Sequence, residues 1–289
     1  MDIIGIFELG IILSIFVLGM VVSFRMLGFA DLTIEGSFVT GGALFAILVN
    51  NGINPFLCFI ISMLGGGLAG LLTAVLHCYA KISKLLSGII TLTMLYTINL
   101  RIMGRSNVSI EQPSVLDYLP YYWYELIILF FICIVVFVLI KIFLSTNFGL
   151  YLRATGENES FVKNQKFNPK IFIIIGLIIS NSLVALSGSL FAQYVGFSDI
   201  GSGSGMLVSM LTAMIIGENI VRPHTLNRQI MSAICGAILF QFLYSLSLQL
   251  GVNPIDLKII IGLLLISFLI LTKISHRGKQ NKNIGADFI

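Results

Sequence analysis

Charge is scarce in this sequence. Asp, Glu, Lys and Arg make up 10% of its 289 residues, while hydrophobic residues make up 57%. A soluble domain carries about a quarter charged residues. No water-enclosed core could bury so much apolar surface, so the solvent implied for most of the chain is a bilayer. Cysteine is also sparse and unpatterned. Cys58, Cys78, Cys133 and Cys235 sit in apolar segments without a CxxC spacing, which reads as buried small hydrophobes rather than a metal or redox site. The three histidines, His77, His224 and His276, are scattered near segment ends, and no metal site is expected from them. No GxxxxGK[ST] loop is present to cradle nucleotide phosphates, and no nucleophile–base set stands out, so the chain is not expected to be an enzyme. The start of the chain lacks the basic region of a cleavable signal peptide and carries Asp2 and Glu8 instead.

What is present is a succession of apolar segments. Spans of about 20 residues cross a bilayer, and shorter ones do so where neighbours cover their ends. Nine segments are expected, at about 3–24, 36–50, 55–79, 86–103, 123–145, 170–195, 205–220, 229–250 and 254–273. The fold class is therefore all-α integral membrane, and the second and seventh segments are short.

Basic residues set the orientation. With the polar stretch 146–170 placed in the cytoplasm, alternation puts all but three of the 17 Lys and Arg residues on that side, the exceptions being Arg101, Arg105 and Lys258. The N-terminus is then outside and the C-terminus cytoplasmic. The net charge of +4 is spread along one membrane face as topology requires, and does not indicate nucleic acid. Tyr121, Tyr122, Trp123 and Tyr124 fall at the outer end of the fifth segment, as an aromatic belt would.

Two stretches echo each other. GFADLTIEGS at 28–37 follows the first segment, and GFSDIGSGSG at 196–205 follows the sixth. The same offset of 168 residues aligns Ser14 with Ser182, Leu18 with Leu186, Gly28 with Gly196 and Asp31 with Asp199. In the nine-segment topology the two stretches lie at opposite faces, the mark of an inverted-topology repeat. The expected organisation is one transmembrane domain over 1–289, with repeat one at about 5–145, a cytoplasmic loop at 146–170, repeat two at about 171–275 and a tail at 276–289. Asp and Ser/Thr cap helix N-termini, and irregular backbone at membrane depth persists only inside protein or beside water. Each motif therefore reads as a break before a short helix. Asp31 and Asp199 are read both as caps and as members of a pathway. The pathway candidates are Asp31, Thr33, Glu35, Ser37, Asn99, Asp199, Ser209 and Thr212, with Thr40 and Thr93 beside them. GGGLAG at 65–70 and Gly41-Gly42 read as close-packing surfaces.

The longest cytoplasmic interruption, NFGLYLRATGENESFVKNQKFNPK at 147–170, mixes charges and keeps Leu150, Leu152 and Phe161 apolar. A connector need not be so long. A short amphipathic helix offered to a soluble partner is the reading that fits, with a plain solvated linker as the other.

The string GLYLRATGENESFVKNQKFNPK resembles the cytoplasmic coupling loop of binding-protein-dependent ABC importer permeases, in the branch of the branched-chain amino acid and ribose permeases. DLTIEGSFVTGGAL, LLSGIITLTMLYTINLRIMG and SNSLVALSGSLFAQYVGFSDIGSGSGMLVSMLTAMIIGE resemble a sub-branch linked to tryptophan or tyrosine uptake. The resemblance covers about residues 5–275. It implies a prokaryotic plasma (inner) membrane protein that forms the translocation pathway with a second permease copy. It further implies a separate ABC ATPase, which holds the ATP and Mg, and an extracellular or periplasmic substrate-binding protein. No cofactor is expected on this chain. By matching positions, Leu152, Arg153, Ala154, Gly156, Glu157 and Asn158 would form the ATPase contact. The alternative is an ion-coupled secondary transporter, which also uses inverted repeats and broken helices. Against it, Glu8, Asp31, Glu35, Glu125, Asp199, Glu218 and Asp256 all fall at or near segment ends, whereas a proton relay needs mid-membrane groups.

Overall fold

The computed structural model describes residues 3–111, 122–253 and 256–270. The first helix, α1 (Ile3–Met20), continues into a π-helical turn, Val21–Met26. It is followed by α2 (Thr33–Asn50), α3 (Pro55–Cys78), α4 (Lys84–Met103), the short strand β1 (Asn107–Ser109), α5 (Tyr122–Ser145), α6 (Asn147–Glu157) and α7 (Glu159–Asn164). The second half contains α8 (Pro169–Val195), β2 (Phe197–Asp199), α9 (Met206–Val221) and α10 (Leu226–Gln249), and then α11 (Leu257–Ile270). The chain is an all-α membrane protein. Among the described residues seven helices are long and apolar enough to cross a bilayer, and α9 and α11 are shorter apolar helices. The count of nine spans is thus not reached by length. The 16 residues of α9 extend about 24 Å at 1.5 Å per residue, short of a hydrocarbon core of about 30 Å. The side chains of Tyr121, Tyr122, Trp123 and Tyr124, and the tail 276–289, lie outside the described residues.

Local chemistry marks the helix ends. Asn54, Ser83, Thr146, Asn158, Asn168 and Thr225 each accept a hydrogen bond from a backbone N–H of the helix they precede. Gly104 and Gly196 close α4 and α8 in left-handed conformation, at φ 67° and 84°.

Burial separates two kinds of helix. Nearly every residue of α1 from Ile6 onward is buried, so its all-round apolar surface faces protein. On α5, by contrast, Ile127, Phe130, Phe131, Val138, Leu139 and Ile142 are exposed, a surface suited to lipid.

The two halves interlock. α1 packs on α10, and α8 packs on α2 and α3. Glycine permits the close approaches. A Cβ on Gly66 or Gly70 of α3 would collide with the α8 backbone carbonyls of Asn181 and Leu177. One on Gly41 of α2 would strike the Ala185 carbonyl, and one on Gly188 of α8 the Phe38 carbonyl, so this seam is reciprocal. Gly217 of α9 and Gly236 of α10 meet in the same way. The GGGLAG stretch is therefore a packing surface, as its composition implies.

At one end of the bundle β1 and β2 pair antiparallel, with Val108 opposite Ser198. At the other end, Lys84 Nζ donates to the Gly28 carbonyl at 3.2 Å, and Lys170 lies over the Tyr79 ring at 4.7 Å.

Gly66→Val is expected to cost about 1–3 kcal/mol through overpacking, read as a lower unfolding temperature in detergent. Gly262→Ala, which meets open space on α11, is expected to leave that temperature unchanged or raised.

Candidate functional site: a polar seam and an adjoining cavity

The first motif forms an elbow. The N–H of Leu27 donates to the Val22 carbonyl at 3.1 Å and that of Phe29 to the Ser23 carbonyl at 2.9 Å, so the π turn satisfies its own exit. Gly28 then takes a positive φ of 56°. Asp31 follows, with no exposed surface. Its Oδ1 accepts the N–H of Thr33, the first residue of α2, at 2.9 Å, and its Oδ2 accepts Asn181 Nδ2 of α8 at 2.7 Å. Asp31 lies between the first two spans. Burial pushes its carboxyl above the ordinary range, opposed by the hydrogen bonds from Asn181 and Thr33.

A ribbon of polar side chains extends from this point. Ser37 donates to Asn181 Oδ1 at 2.6 Å. Thr33 and Thr73 hydroxyls stand 2.6 Å apart, and Thr73 donates to Thr91 at 2.9 Å. One turn on, Thr40 donates to Asn99 Oδ1 at 2.9 Å, and Asn99 Nδ2 donates to the Gly36 carbonyl at 3.2 Å. The ribbon thus ties α2 to α3, α4 and α8. Among the described residues no buried side-chain nitrogen or oxygen lacks a partner, as an apolar surrounding demands.

The second motif is built differently. Asp199 Oδ1 accepts the Gly201 N–H at 2.7 Å, and Oδ2 accepts Asn107 Nδ2 from the neighbouring strand at 3.3 Å. Asp199 therefore shapes the 199–202 turn and does not reach the N-terminus of α9. That N-terminus is capped from the other half of the molecule. Glu35 Oε1 accepts the N–H groups of Gly205 at 3.1 Å and Leu207 at 3.2 Å, a favourable place for a carboxylate. The two motifs are joined, through Glu35 rather than through either aspartate.

Beside this junction lies a cavity of about 340 Å³ lined by Glu35, Gly36, Val39, Leu92, Thr93, Tyr96 and Asn99, with Ile200, Gly201, Gly203 and Ser204. Its wall is apolar with hydroxyl, amide and carboxylate groups set into it, a composition that suits a small polar solute. Of the pathway candidates, Glu35 and Asn99 line it. Asp31, Thr33 and Ser37 form the buried ribbon behind it. Ser209 and Thr212 instead donate to carbonyls of their own helix, Gly205 and Val208, and neither lines the cavity. Tyr96 and Ser204 line it without having been singled out from sequence. A signal for Tyr96 existed, since Thr93, Tyr96 and Asn99 recur every three residues, one face of a helix.

At the opposite side of the elbow sits the α6–α7 pair. Leu152 is fully buried, and Gly156 abuts the backbone of Met26 and Leu27 so closely that no side chain would fit. These two face the chain's own interior. Arg153 and Ala154 are half-buried, while Glu157 and Asn158 are exposed, together with the apolar Leu150 and Phe161.

A many-helix membrane protein with a solute-sized recess beside a polar seam has the architecture expected of a membrane permease. The particular family follows from comparison: residues 3–269 match the model of the branched-chain amino acid transport system / permease component, and the chain belongs to that family. It is a permease component of a transport system, in the family of ABC importer permeases. It is 38% identical over 268 residues to the tyrosine transport system permease protein of Clostridioides difficile (strain R20291), covering 92% of this chain and 90% of that one. It is 34% identical over 248 residues to an uncharacterized protein of Rickettsia prowazekii (strain Madrid E), covering 83% and 86%. A more distant relative is the autoinducer 2 import system permease protein LsrC of Escherichia coli (strain K12 / DH10B), 23% identical over 65% of this chain. No solved structure matches the chain.

Asn181→Ala leaves the Asp31 carboxylate and the Ser37 hydroxyl without their partner, and a loss of roughly 1–3 kcal/mol or more is expected. In a double-mutant cycle measured by thermal unfolding, Asp31→Ala with Asn181→Ala should cost clearly less than the sum of the single changes.

Proposed function

We propose that this chain forms the translocation pathway of an importer driven by a separate ABC ATPase and fed by an external binding protein. The observation that carries this reading is the α6–α7 pair. It offers exposed Leu150, Phe161 and Glu157 on one side and seats Gly156 on the first motif on the other. A surface helix that buries its glycine against the elbow while exposing apolar groups is suited to receive a soluble partner. Within that reading Arg153, Ala154, Glu157 and Asn158 meet the ATPase, whereas Leu152 and Gly156 hold the helix in place.

The solute is an amino acid, with an aromatic one favoured. The tyrosine transport relative supports this choice, and the cavity of about 340 Å³ falls within the range of about 300–1,000 Å³ typical of small-molecule sites. Selectivity then resides mainly in the binding protein, because the wall here is largely apolar and offers only a few polar groups, those of Glu35, Thr93, Tyr96, Asn99 and Ser204.

The pathway is completed by a second copy of the chain. Supporting this, α4 exposes Thr93, Tyr96 and Thr97, an odd surface to offer lipid compared with the apolar exposed side chains of α5 such as Phe130, Phe131 and Leu139. The membrane is the prokaryotic plasma (inner) membrane, with the α6 end in the cytoplasm and the N-terminus outside. Arg25, Lys84 and Lys170 gather near the α6 end, as positive-inside orientation requires. An inverted repeat is supported by the reciprocal packing of α1 on α10 and α8 on α3, since these pairs exchange under a two-fold relation.

Affinity purification from the native membrane should recover an ATPase in equal copy number. Replacing Glu157 with Lys and Phe161 with Asp together should reduce that recovery about tenfold while the permease itself still inserts. Vesicles holding the purified complex should accumulate tyrosine only with ATP and the binding protein. A permease that purifies alone and concentrates solute on an ion gradient would instead establish the secondary-carrier alternative.

A further inference from the structure

The short helix α9 has no cap of its own. Gly205 precedes it and makes no side-chain cap, and among the described residues the side chain that accepts its first N–H groups is Glu35. Both of its ends are held by residues of the elbow in the other half. At its start, Glu35 takes the N–H groups of Gly205 and Leu207. Near its end, Glu218 is gripped by Arg25 in bidentate fashion, Nε to Oε1 at 2.6 Å and Nη2 to Oε2 at 2.5 Å. Arg25 and Glu35 are only ten positions apart in the chain, yet they clasp α9 at points 13 positions apart, Gly205 and Glu218.

The elbow between them is itself seated on α6. Gly156 abuts the Met26 and Leu27 backbone, and a Cβ on Gly28 would stand 3.1 Å from the Gly156 carbonyl. Backbone against backbone leaves no compliant side chain to absorb a shift of α6. The clasping residue, Arg25, lies in the π-helical turn Val21–Met26, the kind of local irregularity that marks functional segments of helices. On the far side, Gly203 rests against the Glu35 carbonyl, and the stretch 200–204 forms one wall of the cavity.

We propose that the Val21–Glu35 elbow is the positioning element that carries displacement of α6 to α9 and hence to the 200–204 wall of the cavity, with the bidentate Arg25–Glu218 pair as its link. This rests on the importer reading above. The bidentate geometry matters because it fixes orientation as well as distance. Neither Arg25 nor Glu218 lines the cavity, so their loss should affect turnover rather than solute recognition.

The test uses the complete complex of permease, ATPase and binding protein in vesicles, with tyrosine as solute. Arg25→Glu and Glu218→Arg singly should each lower the maximal rate of ATP-driven uptake about tenfold, with KM changed less than about twofold. ATP hydrolysed per tyrosine should rise. The exchanged pair, Arg25→Glu with Glu218→Arg, should return uptake to within about threefold of the parent, which a general loss of folding would not allow. Arg25→Lys, which keeps charge but loses the fork, should fall between. Single variants that transport at the parental rate overturn the proposal. So does an exchanged pair no better than the singles, or a defect confined to KM. A parent complex that shows no ATP dependence overturns the importer reading together with this one. ATP-driven uptake by a parent whose variants are unaffected overturns this one alone.

Discussion

A chain that interrupts its helices in an apolar solvent must supply hydrogen-bond partners for every backbone group it frees. That constraint governs the elbow between α1 and α2. The cost of one unpaired amide in hydrocarbon is several kcal/mol, comparable to a large share of a protein's net stability. The break is therefore tolerable only if it is over-determined. Here the π turn bonds its own exit through Leu27 and Phe29, Asp31 takes the first N–H of α2, and Asn181 from the other half holds Asp31. Take away the Asn181 amide and a buried carboxylate loses a partner at the point where the helix restarts. The rest of the seam can be understood as an extension of this local demand. Each added hydroxyl or amide satisfies a neighbour and in doing so binds another helix.

Glycine makes that binding geometrically attainable. Asn181 reaches Asp31 and Ser37 because α8 lies unusually close to α2 and α3, and it lies close because Gly41, Gly66, Gly70 and Gly188 present no side chain at the contacts. Between transmembrane helices there is little hydrophobic gain from association, since lipid is as apolar as leucine, so close packing and hydrogen bonds must do the holding. The two devices reinforce one another here. The glycines bring backbones together, and the short polar side chains then span the small remaining gaps. A longer side chain at Gly41 would displace α8 and lengthen the Ser37–Asn181 hydrogen bond.

The sequence made some of this legible and concealed the rest, for reasons that lie in range. Helices appear in it because apolar runs are local, and the α3 packing surface appears because GGGLAG has no other use. The break at Asp31 is visible for the same reason. The partner of that break is not. Asn181 lies 150 positions away and shows in the sequence only as a polar residue inside an apolar span. Glu35 could be named as a pathway residue, but its link to Gly205 across 170 positions has no local signature. The pairing of β1 with β2 likewise depends on two three-residue strands far apart. The π turn is hidden more thoroughly, for VVSFRM contains neither Pro nor Gly to mark it. The coupling stretch illustrates a different limit. Its residues could be listed, but which of them face inward was decided by helical phase against the elbow, which buries Leu152 and leaves Glu157 exposed.

The repeated motif shows how the same local pattern acquires two meanings. In both copies an aspartate three positions after a glycine accepts a backbone N–H two residues on, Thr33 in one and Gly201 in the other. That much is encoded locally and is identical. The difference is what surrounds the second oxygen. At Asp31 it meets Asn181 in a fully enclosed seam. At Asp199 it meets Asn107 at the exposed end of a two-stranded ribbon. A turn beside water can leave the cap of the next helix to solvent or to a partner, whereas a turn enclosed by protein cannot. The second copy accordingly leaves the start of α9 open, and the carboxylate that closes it comes from the first copy. The two turns are alike in sequence and unlike in surroundings, so one is a fixed joint and the helix start after the other depends on it.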